Sequence, residues 1–172
     1  MTENGLKILL IGYGNPGRLD DGLGPTLAEA VDKLAIPGVT VDADYQLTVE
    51  DAAEIARYDV VIFADADVSG PEPFSFRKVE PAPAVGFSSH SVQPSAVLGL
   101  ACELFGAQAE GYLLGIRGYA FNAFGESITE KARANLDAAL RFIVHALRES
   151  TFRETAGNPD ETPVALGAPM TR

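Results

Sequence analysis

Residues 7–25 read KILLIGYGNPGRLDDGLGP, and the reading of this stretch decides the fold. Ile8-Leu9-Leu10-Ile11 is a short, continuous apolar run stopped by Gly12. Such a run predicts a strand buried on both faces, as parallel strands are. Gly12 to Asp20 is a loop, and a helix is expected to begin near Asp21 or Gly22. Leu23, Leu27, Ala30, Val31 and Leu34 recur at helical spacing until Pro37-Gly38 ends the pattern. Strand, loop and helix in that order are the first half of a βαβ unit.

Working outward, the alternation continues. Val39-Thr40-Val41 predicts a second strand. Thr48, with Asp51 three residues on, resembles a capping box opening a short helix through Ile55. Asp59 to Ala64 is β-branched and apolar, a strand expected to end at Asp65. Phe74 to Val79 alternates apolar and polar positions, as an edge or half-exposed strand does. Residues 81–89 are rich in Pro, Gly and Ser and read as a loop. A helix from Pro94 to Phe105, a strand from Gly111 to Ile116 and a long amphipathic helix from Thr129 to Arg148 complete the order. This pattern predicts the α/β class: a three-layer, doubly wound, mostly parallel sheet with helices on both faces. Residues 1–150 are expected to form one domain. Residues 151–172, polar with scattered prolines and little periodicity, are expected to be a flexible tail.

Composition narrows the function classes. The chain has 172 residues, a 47% apolar content and a net charge of -11. One core of good size is affordable, and an acidic surface suits neither nucleic acid nor an anionic membrane. The single cysteine, Cys102, permits no internal disulfide, which fits a cytoplasmic location. Monomer is the default expectation for an acidic chain of this size.

In doubly wound sheets, ligands sit beyond the carboxyl ends of the strands where the strand order reverses. Three features fall there. Gly12-x-Gly14-x-x-Gly17 matches the dinucleotide fingerprint, with Asp42 or Asp44 placed to hold a ribose. The match is imperfect, because Pro16 to Asp20 separates the glycines from the helix, and Asp20 and Asp21 repel a pyrophosphate. The second feature is the pair Asp20-Asp21, whose simplest role is to cap the helix that follows. One carboxylate satisfies that role and leaves the other free to face a crevice. The third is Asp65 at a strand end together with His90, one of only two histidines, in the loop Phe87-Ser88-Ser89-His90-Ser91. Asp21, Asp65 and His90 can converge on one sheet edge. Two carboxylates and an imidazole suit a divalent ion such as zinc or nickel, leaving positions open for water or substrate. Cys102 lies among leucines on an apolar helix and reads as a core residue. The serines beside His90 lack a Gly-x-Ser-x-Gly elbow.

Taken in order, these motifs resemble the hydrogenase maturation proteases, endopeptidases that trim the C-terminus of the large subunit of nickel–iron hydrogenases. The resemblance rests on residues 8–25 (ILLIGYGNPGRLDDGLGP), residues 60–66 (VVIFADA), Ser88-Ser89-His90-Ser91 and residues 111–118 (GYLLGIRG). It covers roughly residues 6–148. It implies that Asp21, Asp65 and His90 are both the metal-engaging and the catalytic set, although some members carry Glu where this chain has Asp21. It further implies a substrate that is a precursor already loaded with nickel, the ion serving as a recognition handle. Another divalent ion, such as zinc or cadmium, is expected to occupy the same residues in vitro. Either a carboxylate acts as general base to water or the metal activates it. There are two other readings: a non-catalytic nucleotide- or metal-binding module built on the Gly12–Gly17 loop, and a nickel chaperone without protease activity that uses the same three residues.

Overall fold

The structure, a computed structural model, describes residues 5–83 and 92–157. Five strands form one sheet: β1 (Ile8–Tyr13), β2 (Val39–Asp44), β3 (Val60–Asp67), β4 (Phe74–Val79) and β5 (Glu110–Arg117). Their order is β2-β1-β3-β5-β4, with β4 antiparallel to β5 and the other pairs parallel. Five helices accompany them: α1 (Leu23–Lys33), α2 (Glu50–Ile55), α3 (Pro94–Phe105), α4 (Glu130–Glu149) and α5 (Phe152–Thr155).

The apolar run of β1 has no polar alternation because it feeds two cores. Ile8 and Leu10 join residues of α1 and α4 on one face, and Leu9 and Ile11 join residues of α2 and α3 on the other. The chain leaves β1 for β2 on one side and returns to β3 on the other. The strand order therefore reverses between β1 and β3, and the crevice at their carboxyl ends is the expected site. Gly12 and Gly24 let α1 sit directly on this centre. A side chain on Gly12 would collide with the Gly24 carbonyl and lie 2.6 Å from Ala28 Cβ, and one on Gly24 would lie 2.5 Å from the Ala64 carbonyl oxygen.

Four sequence expectations are adjusted. Strand β3 runs on to Asp67 because β5 continues beside it to the pair Asp67↔Arg117, so Asp65 lies inside the strand rather than at its end. Helix α1 begins at Leu23, after a separate 3-10 turn over Leu19–Gly22. Strand β4 is last in the sheet order, but it is not half-exposed, and Gly157 bridges its outer side at Arg77. Phe74 and Phe76 are buried, with ring centroids 5.0 and 5.1 Å from that of Phe142 on α4. Finally, the packed chain does not stop near 150. Phe152 is 3% exposed and lies 5.8 Å from the Tyr112 ring, and the Gly157 amide donates to the Phe76 carbonyl at 2.9 Å. One large aromatic in a run of polar residues carries no periodicity, which is why the pattern gave no signal. Residues 158–172 lie outside the described residues. No described helix is long and apolar enough to cross a membrane.

Replacing Phe152 with Ala removes a buried aromatic from the α1/α4 core and is expected to lower unfolding stability by about 3 kcal/mol. Urea denaturation checks this. A change within about 0.5 kcal/mol, as at an unpacked surface position, would show that the segment is a tail after all.

Candidate active site

The pair Asp20-Asp21 divides its labour differently from two helix caps. Gly22, not an aspartate, is the N-cap of α1, and its carbonyl accepts from the Thr26 hydroxyl at 2.7 Å. Asp20 is fully buried, and its carboxylate accepts from four donors: the amides of Tyr119, Ala120 and Thr129 and the Thr129 hydroxyl, at 2.8 to 3.0 Å. Burial opposes its charge, but the bonds from Thr129, Tyr119 and Ala120 outweigh it and hold the carboxyl below its usual range. Thr129 in turn caps α4, accepting from the Ala132 amide. Backbone bonds between Leu19 and Gly125, and between Gly125 and Gly17, complete the latch.

With Asp20 committed to the far loop, Asp21 is left facing the crevice. Its Oδ2 accepts from the Asn15 amide at 2.8 Å. Gly14, at φ +141°, packs its α-carbon against the Asp21 backbone, where a side chain would collide with the Asp21 carbonyl.

Asp65 approaches from β3. Its Oδ1 accepts from the Ala66 amide at 2.8 Å, and Tyr13, the last residue of β1, hydrogen-bonds it through the phenol. Tyr13 shares the β1 face of Leu9 and Ile11, a period-2 signal that could have marked it as facing Asp65. Sequence reasoning passed over it because an aromatic there reads as core. Burial is the main cause that pushes the Asp65 carboxyl up to about 7, with the negative charge of Asp21 adding to it against the Ala66 and Tyr13 bonds. The Tyr13 phenol is pushed up likewise, by burial and then by the Asp65 charge. Two carboxylates sharing a crevice that cannot comfortably hold both charges is an arrangement a cation relieves.

The structure therefore brings two of the three anticipated residues, Asp21 and Asp65, to one place. His90, with its flanking serines, lies outside the described residues. Among the described residues no group of three metal-ligating side chains occurs. Cys102, expected in the core, is half-buried on α3 and packs against the border of the second core. The dinucleotide reading loses ground, because Asp21 holds the Asn15 amide and the Asn15 side chain holds the Gly17 amide at 2.9 Å. Those are donors a pyrophosphate would need. A cavity of about 460 Å³, bordered by Asp59, Glu110, Tyr112 and Arg153, opens at the opposite end of the strands and takes no part in this site.

Fold and crevice together define a doubly wound α/β domain whose strand reversal carries a pair of mutually repelling aspartates. Several solved structures with this architecture are hydrogenase maturation proteases, and this chain shares their fold. HybD, a hydrogenase maturating endopeptidase from E. coli, aligns with a TM-score of 0.63 at 25% identity, over 84% of this chain and 94% of its own. HycI, a NiFe hydrogenase maturation protease from Thermococcus kodakarensis, aligns with a TM-score of 0.64 at 24% identity, over 83% and 92%. An endopeptidase from Escherichia coli, solved in solution, aligns with a TM-score of 0.66 at 24% identity, over 86% and 95%. No family model matches the chain, and no curated protein matches it by sequence.

The two acids should respond oppositely to neutralisation. Asp20→Asn weakens charge-assisted bonds and forces an amide N–H onto donors, and is expected to cost about 2 kcal/mol of unfolding stability at pH 7. Asp65→Asn is expected to stabilise. The Asp65 carboxyl holds its proton more tightly when folded, near 7, than at its ordinary value of 3.8. Its cost to folding is therefore absent below about pH 4, grows as pH rises, and is complete above about pH 7. The variant should gain about 2 kcal/mol at pH 8, after allowance for partial solvation, and almost nothing at pH 4. Denaturation at both pH values checks this, and a gain that does not depend on pH would contradict it.

Proposed function

We propose that this chain is the endopeptidase that removes a C-terminal extension from the nickel-loaded precursor of a nickel–iron hydrogenase large subunit. The observation that carries the reading is the Asp21–Asp65 pair, held at the strand reversal of a fold shared with hydrogenase maturation proteases. Nickel here is part of the substrate. Asp21 and Asp65 supply two oxygen donors, and His90 is assigned as the nitrogen donor completing the set. The bound ion neutralises the repulsion between the carboxylates, so a loaded precursor is favoured over an empty one. Asp65 gives up its proton as the ion is engaged, which makes capture weaker below neutrality. Asp20 and Thr129 keep Asp21 in place, and Tyr13 orients Asp65. The scissile peptide is then held beside the cluster, where its water is activated.

The test is incubation of a nickel-loaded large-subunit precursor with the wild type and with Asp21→Asn, Asp65→Asn and His90→Ala, cleavage being read by electrophoresis and mass spectrometry. Each variant is expected to lose at least about 100-fold in rate. Full processing by all three overturns the site. Nickel binding without cleavage by the wild type leaves a carrier in place of a protease. Heat on calorimetric titration with a dinucleotide would instead favour the Gly12–Gly17 module.

A further inference from the structure

Strand β2 closes one side of the sheet, and among the described residues nothing pairs with its outer edge. Two bonds show which of its backbone groups face inward: Ile8 N–H to the Gly38 carbonyl at 2.9 Å and Gly14 N–H to the Asp44 carbonyl at 3.0 Å. In a parallel ladder alternate residues turn their polar groups to the same neighbour. Thr40, Asp42 and Asp44 therefore serve β1, and Val41 and Ala43 turn theirs outward. The Ala43 amide, and that of Tyr45 just past the strand, are held by the preceding side chain. Asp42 Oδ1 accepts from Ala43 N–H at 3.0 Å, and Asp44 Oδ1 accepts from Tyr45 N–H at 2.8 Å. Both bonds are solvent-exposed and readily exchanged for others.

The side chains at this edge divide by face. On the α1 side, adjoining hollows of about 260 and 320 Å³ share Pro16, Pro25 and Ala43 as walls, and Gly14 closes one of them. Gly14 is also the residue packed against the Asp21 backbone, so one end of the groove lies a single residue away from that acid. On the α2 side stand Asp42 and Asp44. Their charges, after burial, add to the raised proton affinity of Asp51. None of these three joins an ion pair among the described residues. The edge thus offers main-chain hydrogen bonds, a groove on one face whose Pro16, Pro25 and Ala43 walls are bordered by Glu29 and Asp32, and uncompensated negative charge on the other.

The geometry points to the outer edge of β2 as the subsite for the substrate strand: an extended segment of protein substrate adds there as a sixth strand, with apolar side chains against Pro16, Pro25 and Ala43 and cationic side chains on Asp42 and Asp44. This deepens the endopeptidase reading and rests on it. A peptide bond is open to attack only in an extended chain, and strand addition holds it so, with affinity from the main chain and selectivity from alternate side chains. Carbonyl oxygens of the incoming strand take the Val41 and Ala43 amides, and the Asp42 carboxylate so released meets the cations together with Asp44. An edge merely guarded against aggregation by charge would show the same aspartates but no selective partner.

The test uses the full chain and a ten-residue peptide of alternating lysine and valine, with two controls: the same peptide N-methylated at alternate residues, and a glutamate-for-lysine version. Binding is followed by amide chemical shifts and hydrogen exchange. The expected result is selective protection of the Val41 and Ala43 amides, with affinity reduced about tenfold or more in both controls. Val41→Pro deletes an outward N–H without removing a ladder bond and should reduce affinity about tenfold. Asp42→Asn with Asp44→Asn should do the same for the lysine peptide only. Equal binding of all three peptides, or protection elsewhere than β2, overturns the subsite even if the precursor is cleaved. Edge binding by a protein that never cleaves the precursor keeps the subsite and rejects the endopeptidase.

Discussion

The buried carboxylate of Asp20 ties the loop after the first strand to the loop before the last long helix, and the site depends on that tie. Four donors from Tyr119, Ala120 and Thr129 converge on it. A buried charge is tolerable only when so fully bonded, and a carboxylate so bonded fixes the backbone on both sides of it. One of those sides is Asp21. The crevice acid is therefore aimed by its neighbour, and the neighbour is aimed by a segment about a hundred residues away. The opposite contact, Gly12 against Gly24, seats α1 close enough that the turn between Asp20 and Gly24 comes down onto β1 and β3.

Rigid support of this kind matters because the two crevice acids oppose each other. Asp21 raises the proton affinity of Asp65, and burial raises it more. The protein carries a site that is less stable empty than its neutral isostere would be, a common property of functional clusters. The β2 edge adds to the same picture. Its carboxyl end lies at Asp44, whose carbonyl accepts from Gly14, the residue packed against the Asp21 backbone.

Much of this was readable in advance, for physical reasons that differ from residue to residue. The continuous apolar runs of β1 and β3 declared a sheet covered on both faces, and the sheet class in turn located the crevice. Asp21 and Asp65 followed from that rule without any side-chain information. The role of Asp20 did not, because its partners are donated by backbone amides, which any sequence supplies. Tyr13 was hidden by its resemblance to a core residue. Phe152 and α5 were hidden because a single anchoring aromatic has no period. Asp42 and Asp44 were visible as acids, but their relation to an open edge appeared only with the strand order. His90 was singled out by its rarity and its loop, and it lies outside the described residues.

The central claim is that Asp21 and Asp65 share one cation with His90. Crystals soaked in nickel chloride and measured at the nickel absorption edge test it directly. The account predicts one dominant anomalous peak within about 2.5 Å of a carboxylate oxygen of each aspartate and of an imidazole nitrogen of His90. Nickel bound elsewhere, with this crevice empty, or a peak on the aspartates that His90 does not approach, would contradict it.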